Sequence, residues 1–208
     1  MLKISRRLIP ALAIAVATQA KAQTAVPELA EMMAERAAGP ATAPITVVEH
    51  FSLTCGHCAS FHIQTLPRIK AELIATGRLR LIYRDFPLDR VSLAAHMVAR
   101  AMPPERYEPF VDTLFRTQSQ WAGARDPIGA LAQVAALAGM GRPRFDAVLA
   151  DEALQRAVLD VRLKAEQEDR VEGTPTFIAS TGRRASGAIT FERFLELAAG
   201  PWPAAKEG

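Results

Sequence analysis

The sequence predicts an α/β chain, and three observations carry that prediction. An apolar run from Ile45 to Phe51 precedes residues apolar at helical spacing, and an alternating run from Leu79 to Asp85 follows, giving strand, helix, strand. Nearly every segment from Ser92 to Glu168 then has helical spacing. Beyond that block a Gly/Pro turn runs into two short strands and a final helix. No internal repeat or low-complexity tract interrupts this order.

Residues 1–22 have the plan of a secretory signal: basic Lys3, Arg6 and Arg7, an apolar stretch from Leu8 to Ala17, and Ala20-Lys21-Ala22 as a small-X-small cleavage site. Cleavage is expected after Ala22, with a mature chain from Gln23. The apolar stretch is shorter than the roughly 20 residues that span a bilayer, and no other segment is long enough. Arg6-Arg7 after Ser5 is compatible with twin-arginine export, while Pro10 interrupts the apolar stretch and favours the ordinary secretory route. Either route predicts a periplasmic protein, in an oxidising compartment.

Residues 23–43 are expected to form an outer arm, a short helix or loose segment from Glu28 to Ala38 ended by Gly39-Pro40. The Ile45 to Phe51 run reads as a buried strand. A helix opens at Cys55 and carries Ala59, Phe61, His62, Ile63, Leu66, Ile69, Leu73 and Ile74 at helical spacing until Gly77. Pro67 lies inside that pattern and predicts a kink near Gln64 to Pro67, because it lacks a donor and crowds the preceding turn. In the next strand Leu79, Leu81 and Tyr83 share one face and Arg80 and Arg84 the other.

Breaks at Met102 to Pro104, Gly123 to Pro127 and Gly139 to Pro143 divide the helical block into four or five helices. Phe110, Val111, Leu114 and Phe115 form one core stripe, and Leu154, Val158, Val161 and Ala165 another. Val171 to Ala179 is a turn entering a strand, Thr181-Gly182 reverses the chain, and Arg184 to Ser186 returns. Thr190 caps a last helix from Phe191 to Ala199.

The formal net charge of +3 includes four basic residues of the leader, Lys3, Arg6, Arg7 and Lys21, and no leader acid; taking four from three leaves −1. A nearly neutral mature chain without a basic, aromatic-interleaved stripe excludes nucleic acid as an expected partner. Arg183-Arg184 reads as a solvated turn.

The chain has two cysteines, in Cys55-Gly56-His57-Cys58 directly after the first strand. A bridge closing so short a loop gains little stability, so the pair reads as a redox motif. The helix start at Cys55 offers free N–H groups and the positive dipole end, which lower a thiol pKa.

The run Phe51 to Cys58, the downstream Thr174-Pro175 and the segment Arg84-Asp85-Phe86-Pro87-Leu88 together resemble the DsbA family of thiol:disulfide oxidoreductases. The resemblance covers most of the mature chain. It implies a thioredoxin-like fold made of residues 44–91 and 170–208, with a helical domain inserted at 92–169. It also implies that Cys55 is the exposed nucleophile, Cys58 its buried partner, and Glu49 the acidic residue buried behind the pair. Gly173, Thr174 and Pro175 would form a client-binding loop with a cis proline. Gly56-His57 departs from the family's usual proline-histidine and matches protein disulfide isomerases. A reduction potential between those of the two classes, about −180 mV and about −120 mV, is therefore expected.

On this reading the Cys55–Cys58 disulfide passes to reduced, unfolded exported proteins through a mixed disulfide at Cys55, with no cofactor. Gly56 and His57 tune the thiolate, and Glu49 relays protons to Cys58. A DsbB-like membrane oxidase is the re-oxidising partner that the resemblance implies. Nothing between Gln23 and Pro44 is long enough for a dimerisation domain, so a monomer is expected. Isomerase and reductase directions stay open, as does a binding-only scaffold. A copper or zinc site built from Cys55, Cys58 and His62 with His50 or His57 is a further alternative with poor geometry, and no metal is expected. His50 and His62 read as packed or exposed bystanders and His96 as a residue of the helical block.

Overall fold

The computed structural model describes residues 26–199, so the expected signal peptide, residues 1–22, lies outside the described residues. Its centre is a parallel pair, β2 (Ile45–Phe51) and β3 (Leu79–Asp85), in a register that sets Glu49 opposite Tyr83 and Phe51 opposite Asp85. The β-branched run Ile45 to Val48 suits a pleated surface, and Ile45, Val47 and Phe51 enter the core. On the other side of β2 follow β4 (Thr176–Ala179) and β5 (Arg184–Ser186), both antiparallel to their neighbours. The sheet has five strands in the order β1-β3-β2-β4-β5, where β1 is Arg36–Ala38.

That first strand corrects the expected arm. Only α1 (Leu29–Met32) is helical, while Arg36–Ala38 pairs antiparallel with β3 and puts Arg36 opposite Tyr83. Arg36 is buried and donates from Nη2 to the carbonyls of Glu31 and Arg100, fastening the segment to the sheet. Gly39 ends the strand at φ 95°, and a Cβ there would lie 2.3 Å from the Leu79 carbonyl oxygen.

The helix after Cys55 begins as α2 (Gly56–Ser60) and widens into a π-helical turn at Phe61–Thr65. It resumes as α3 (Leu66–Ile69) and widens again at Lys70–Ile74. At the expected kink the helix carries a π-helical bulge: the Leu66 N–H reaches back to the Phe61 carbonyl, and Pro67 falls in the first turn of α3, where its missing donor is tolerated.

Six helices, one or two more than expected, cross the region from Arg90 to Gln167: α4 (Arg90–Arg100), α5 (Pro104–Arg116), α6 (Gln118–Trp121), α7 (Pro127–Leu137), α8 (Arg142–Leu149) and α9 (Glu152–Gln167). Asp89, Asp126 and Asp151 cap α4, α7 and α9 by accepting backbone N–H groups. The α5 stripe of Phe110, Val111, Leu114 and Phe115 is buried, as the spacing requires; on α9 Val161 is only partly covered. Thr190 caps α10 (Phe191–Ala198), and Arg183 closes the other end of α10 by donating to the Glu196 and Ala199 carbonyls. Arg183 is therefore more than a solvated turn.

A sealed polar knot ties the inserted helices to the sheet. At the end of β3, Asp85 accepts from His96 Nδ1 at 2.8 Å and from Arg100 Nε at 2.6 Å, with all three side chains buried. Arg100 also donates to the Ala34 carbonyl, and both Arg36 and Arg100 lie over the Tyr107 ring. Burial alone would raise the Asp85 carboxyl, but Arg100 and His96 hold it down to about 2. Among the described residues no helix is long and apolar enough to cross a membrane.

Candidate active site

The site sits beyond the carboxyl end of β2, where Ser52 to Thr54 lead into α2. Cys55 is the N-cap of α2, in extended conformation (φ −81°, ψ 119°), so the free N–H groups of the first turn point at its sulfur. Cys58 N–H donates to Cys55 Sγ at 3.4 Å, and the Cys55 thiol can donate to the Thr174 carbonyl at 3.3 Å. Both cysteines are free thiols, Cys55 half-buried and Cys58 buried.

The two sulfurs are driven apart electrostatically. The Cys58 side chain, hydrogen-bonded to the Cys55 thiolate, leads in lowering the Cys55 pKa to about 5 against opposing burial; Thr174 and the backbone N–H groups of Cys58 and His57 add to it. Cys58 is pushed far above the ordinary thiol range by burial, then by its bond to Cys55 and the charge of Glu49.

The approach loop is pinned from the inserted helices. Ser52 and Ser92 hydroxyls bond at 2.7 Å, and Thr54 donates to Asp89 at 2.6 Å. Gln118, at the start of α6, donates from Nε2 to the Leu53 carbonyl at 2.8 Å and to the Cys55 carbonyl at 3.1 Å. No sequence signal marks Gln118, which arrives from more than 60 residues away.

Across from the cysteines, the Thr174-Pro175 bond is cis, and the Thr174 carbonyl faces Cys55. Thr176 Oγ1 donates to the Gly173 carbonyl and steadies the loop, while the Thr174 hydroxyl is buried without a well-aligned partner. Gly56 and His57 are exposed; a Cβ at Gly56 would meet nothing within 4 Å. His57 reaches the thiolate through its backbone N–H.

Behind the pair, Glu49 is fully buried, and His62 Nε2 donates to its two oxygens at 3.0 and 3.1 Å. His62 is therefore no bystander. Its place one helical turn after Cys58 was the available signal, since residues at i and i+4 share a face. His50 is also buried, 3.6 Å from Asp169, and burial drives its pKa down to about 4. His96 belongs to the Asp85 knot. Three of the four histidines thus turn to separate carboxylates while His57 is exposed, and among the described residues no group of three or more His, Cys, Asp or Glu is arranged to hold a metal.

A family profile described as Thioredoxin matches residues 31–198. The chain belongs to the thioredoxin family. Within it, the chain is similar to Wolbachia pipientis alpha-DsbA1 at 25% identity and a TM-score of 0.73, covering 83% of this chain and 91% of that one. The protein-disulfide isomerase of Novosphingobium aromaticivorans shares the fold, with a TM-score of 0.69 and 23% identity over 79% of this chain and 98% of that one. A Rickettsia bellii protein bearing the provisional name protein-disulfide oxidoreductase is 26% identical over 65% of this chain. The chain spans about half the length of the curated relatives it matches, 53% in that case. The DsbA resemblance and the thioredoxin-like α/β fold read from the sequence are both borne out.

Proposed function

We propose that this thioredoxin-family protein is an exported thiol:disulfide oxidoreductase that donates a Cys55–Cys58 disulfide to reduced client proteins. The observation that carries the reading is the division of labour between the sulfurs: Cys55 half-exposed with its pKa lowered to about 5, Cys58 sealed beneath it with its pKa raised. A client thiolate attacks Cys55 Sγ, the S–S bond breaks, and Cys58 leaves as a thiolate that takes up a proton. A second client thiolate then attacks the client sulfur of the mixed disulfide. The client leaves oxidised, and the two electrons reside on Cys55 as thiolate and Cys58 as thiol. A stabilised Cys55 thiolate is a good leaving group and makes the oxidised protein a stronger oxidant.

Gly173, Thr174 and Pro175 are the client-binding loop, presenting backbone to an extended client segment. Binding through backbone suits a broad client range. Gly56 and His57 tune the pair, and Glu49 handles the Cys58 proton. The signal-like leader supports a periplasmic location, re-oxidation falls to a DsbB-like membrane oxidase, and the protein acts as a monomer.

Trapping tests the mechanism directly. Cys58→Ser should accumulate a client mixed disulfide at Cys55, and Cys55→Ser should lose both the adduct and catalysed refolding of a reduced client. Refolding catalysed equally well by Cys55→Ser would refute the reading and leave a binding scaffold.

A further inference from the structure

The mixed disulfide poses a problem of access. When the client thiolate expels Cys58, the new thiolate lies buried under Cys55, and the client itself covers the front of the site. A proton must nevertheless reach it.

A cavity of about 730 Å³ supplies a second approach. His62 and Tyr83 line it at depth, with Ala37 of β1 and Tyr107 of α5; Cys55, Gly56, His57, Thr174 and Pro175 do not line it. The space admits several waters beside polar walls, and the buried hydroxyls of Tyr83 and Tyr107 have no protein partner. From this cavity His62 reaches Glu49 through the paired contacts of 3.0 and 3.1 Å.

We propose that His62 is the proton entry point for Cys58: a proton passes from cavity water to His62, from His62 Nε2 to Glu49, and from Glu49 to the departing Cys58 sulfur, on a route the client does not cover. The proposal rests on the oxidoreductase reading above. His62 touches neither sulfur and acts through Glu49, so it is a positioning and proton-supplying residue. The three transfers balance: cavity water gives one proton to His62, His62 gives one to Glu49 and Glu49 gives one to Cys58, so the net change is one proton moved from cavity water, left as hydroxide, to the Cys58 thiolate.

The groups around His62 leave it the proton carrier. Glu49 faces it from β2 and Tyr83 from β3, with the Phe51, Phe61 and Phe115 rings closing the remaining sides. Tyr83 and Tyr107 are held neutral by burial. At the mouth, Lys70 pairs with Glu108 and Arg116 with Asp112, so those charges largely cancel. Glu35 is occupied by Arg80 and Arg84 at the β1 rim, where Arg36 and Glu105 complete the charged wall.

The test is the single-turnover rate of mixed-disulfide formation with a peptide client, corrected for the client thiolate fraction and followed against pH in H2O and D2O. Wild-type protein should show a solvent isotope effect and slow at alkaline pH, where the cavity water has fewer protons to deliver along the route. His62→Gln keeps an N–H donor for Glu49 but no transferable proton; it should be slower by about tenfold or more and lose that alkaline fall. Ala37→Leu, which narrows the cavity without touching His62, should slow the same step while leaving the reduction potential unchanged. A wild-type rate and pH profile in His62→Gln would overturn the proposal, as would equal slowing at every pH with no change in isotope effect. Slowing in His62→Gln with none in Ala37→Leu would overturn the cavity route. Absence of exchange in the wild-type protein would instead defeat the oxidoreductase reading, before any variant is compared.

Discussion

The pairs His96–Asp85 and His62–Glu49 are both buried histidine–carboxylate contacts, yet they are built for different ends. Asp85 takes a guanidinium from Arg100 as well as the imidazole, and Arg100 continues to the Ala34 carbonyl, so the charge is closed in on every side. Among the described residues no guanidinium bonds Glu49; it has His62, and His62 borders a cavity. A buried ion pair saturated with donors holds structure, because removing any partner strands a charge. A buried pair that borders a cavity and carries fewer donors is less tightly closed in. The first fastens the inserted helices and β1 to the sheet; the second, on the proposal above, serves the cysteines.

The largest effect that separates the two is on stability. Arg100→Ala strands Asp85 and should cost about 3–5 kcal/mol in chemical denaturation of the oxidised protein. The reduction potential should stay at its wild-type value; a shifted potential at wild-type stability would reverse the assignment.

Next comes a pH effect confined to the cysteine side. The Cys55 pKa falls from an ordinary 9.0 to about 5 in the folded reduced protein. A depressed acid stabilises the fold where it is ionised, so the reduced form gains stability relative to the oxidised form. That gain is complete above about pH 9 and disappears as the pH falls through about 5. Denaturation midpoints of both forms across that range measure it, and a gap independent of pH would mean that Cys55 is an ordinary thiol.

Gln118 ties α6 to the loop that carries Cys55 and should show a smaller, local loss. Gln118→Ala removes its donations to the Leu53 and Cys55 carbonyls, lowering stability by about 1–2 kcal/mol. Amide hydrogen exchange at Thr54 and Cys55 should quicken while the Asp85 knot stays protected; unchanged exchange at the loop would show that α6 does not hold it.

Smallest of all is Gly56→Pro. Gly56 is the first residue of α2, a position that suits proline, and Cys55 before it is already extended, as a residue preceding proline must be. With nothing within 4 Å of the added Cβ, stability should change by less than about 1 kcal/mol. A loss well beyond that would show that the Gly56 N–H is needed.

Much of this was legible in the sequence, for physical reasons that differ by element. Ile45 to Phe51 and Leu79 to Asp85 announce themselves by β-branching and alternation, and the inserted helices by apolar spacing with Asp and Pro at their starts. Arg36–Ala38 does not, since Arg-Ala-Ala carries no strand preference and becomes a strand through the open edge of β3. The π-helical turns are equally silent: the first lies just before Pro67, and the second, at Lys70–Ile74, has no proline beside it. In the site, the Cys55-Gly56-His57-Cys58 motif was visible from its spacing, and Thr174-Pro175 only through the resemblance to the DsbA family. His62 was marked only by its place one turn after Cys58, which does not disclose its carboxylate partner on β2, and Gln118 was not marked at all, because its two loop carbonyls are brought to it by the fold.

The most direct measurement is the reduction potential of the Cys55–Cys58 pair in the mature protein, taken by equilibration with glutathione at neutral pH. A stabilised Cys55 thiolate over a protonated Cys58 predicts a value between about −180 and −120 mV. A value near that of thioredoxin, about −270 mV, would contradict the account and make the protein a reductant.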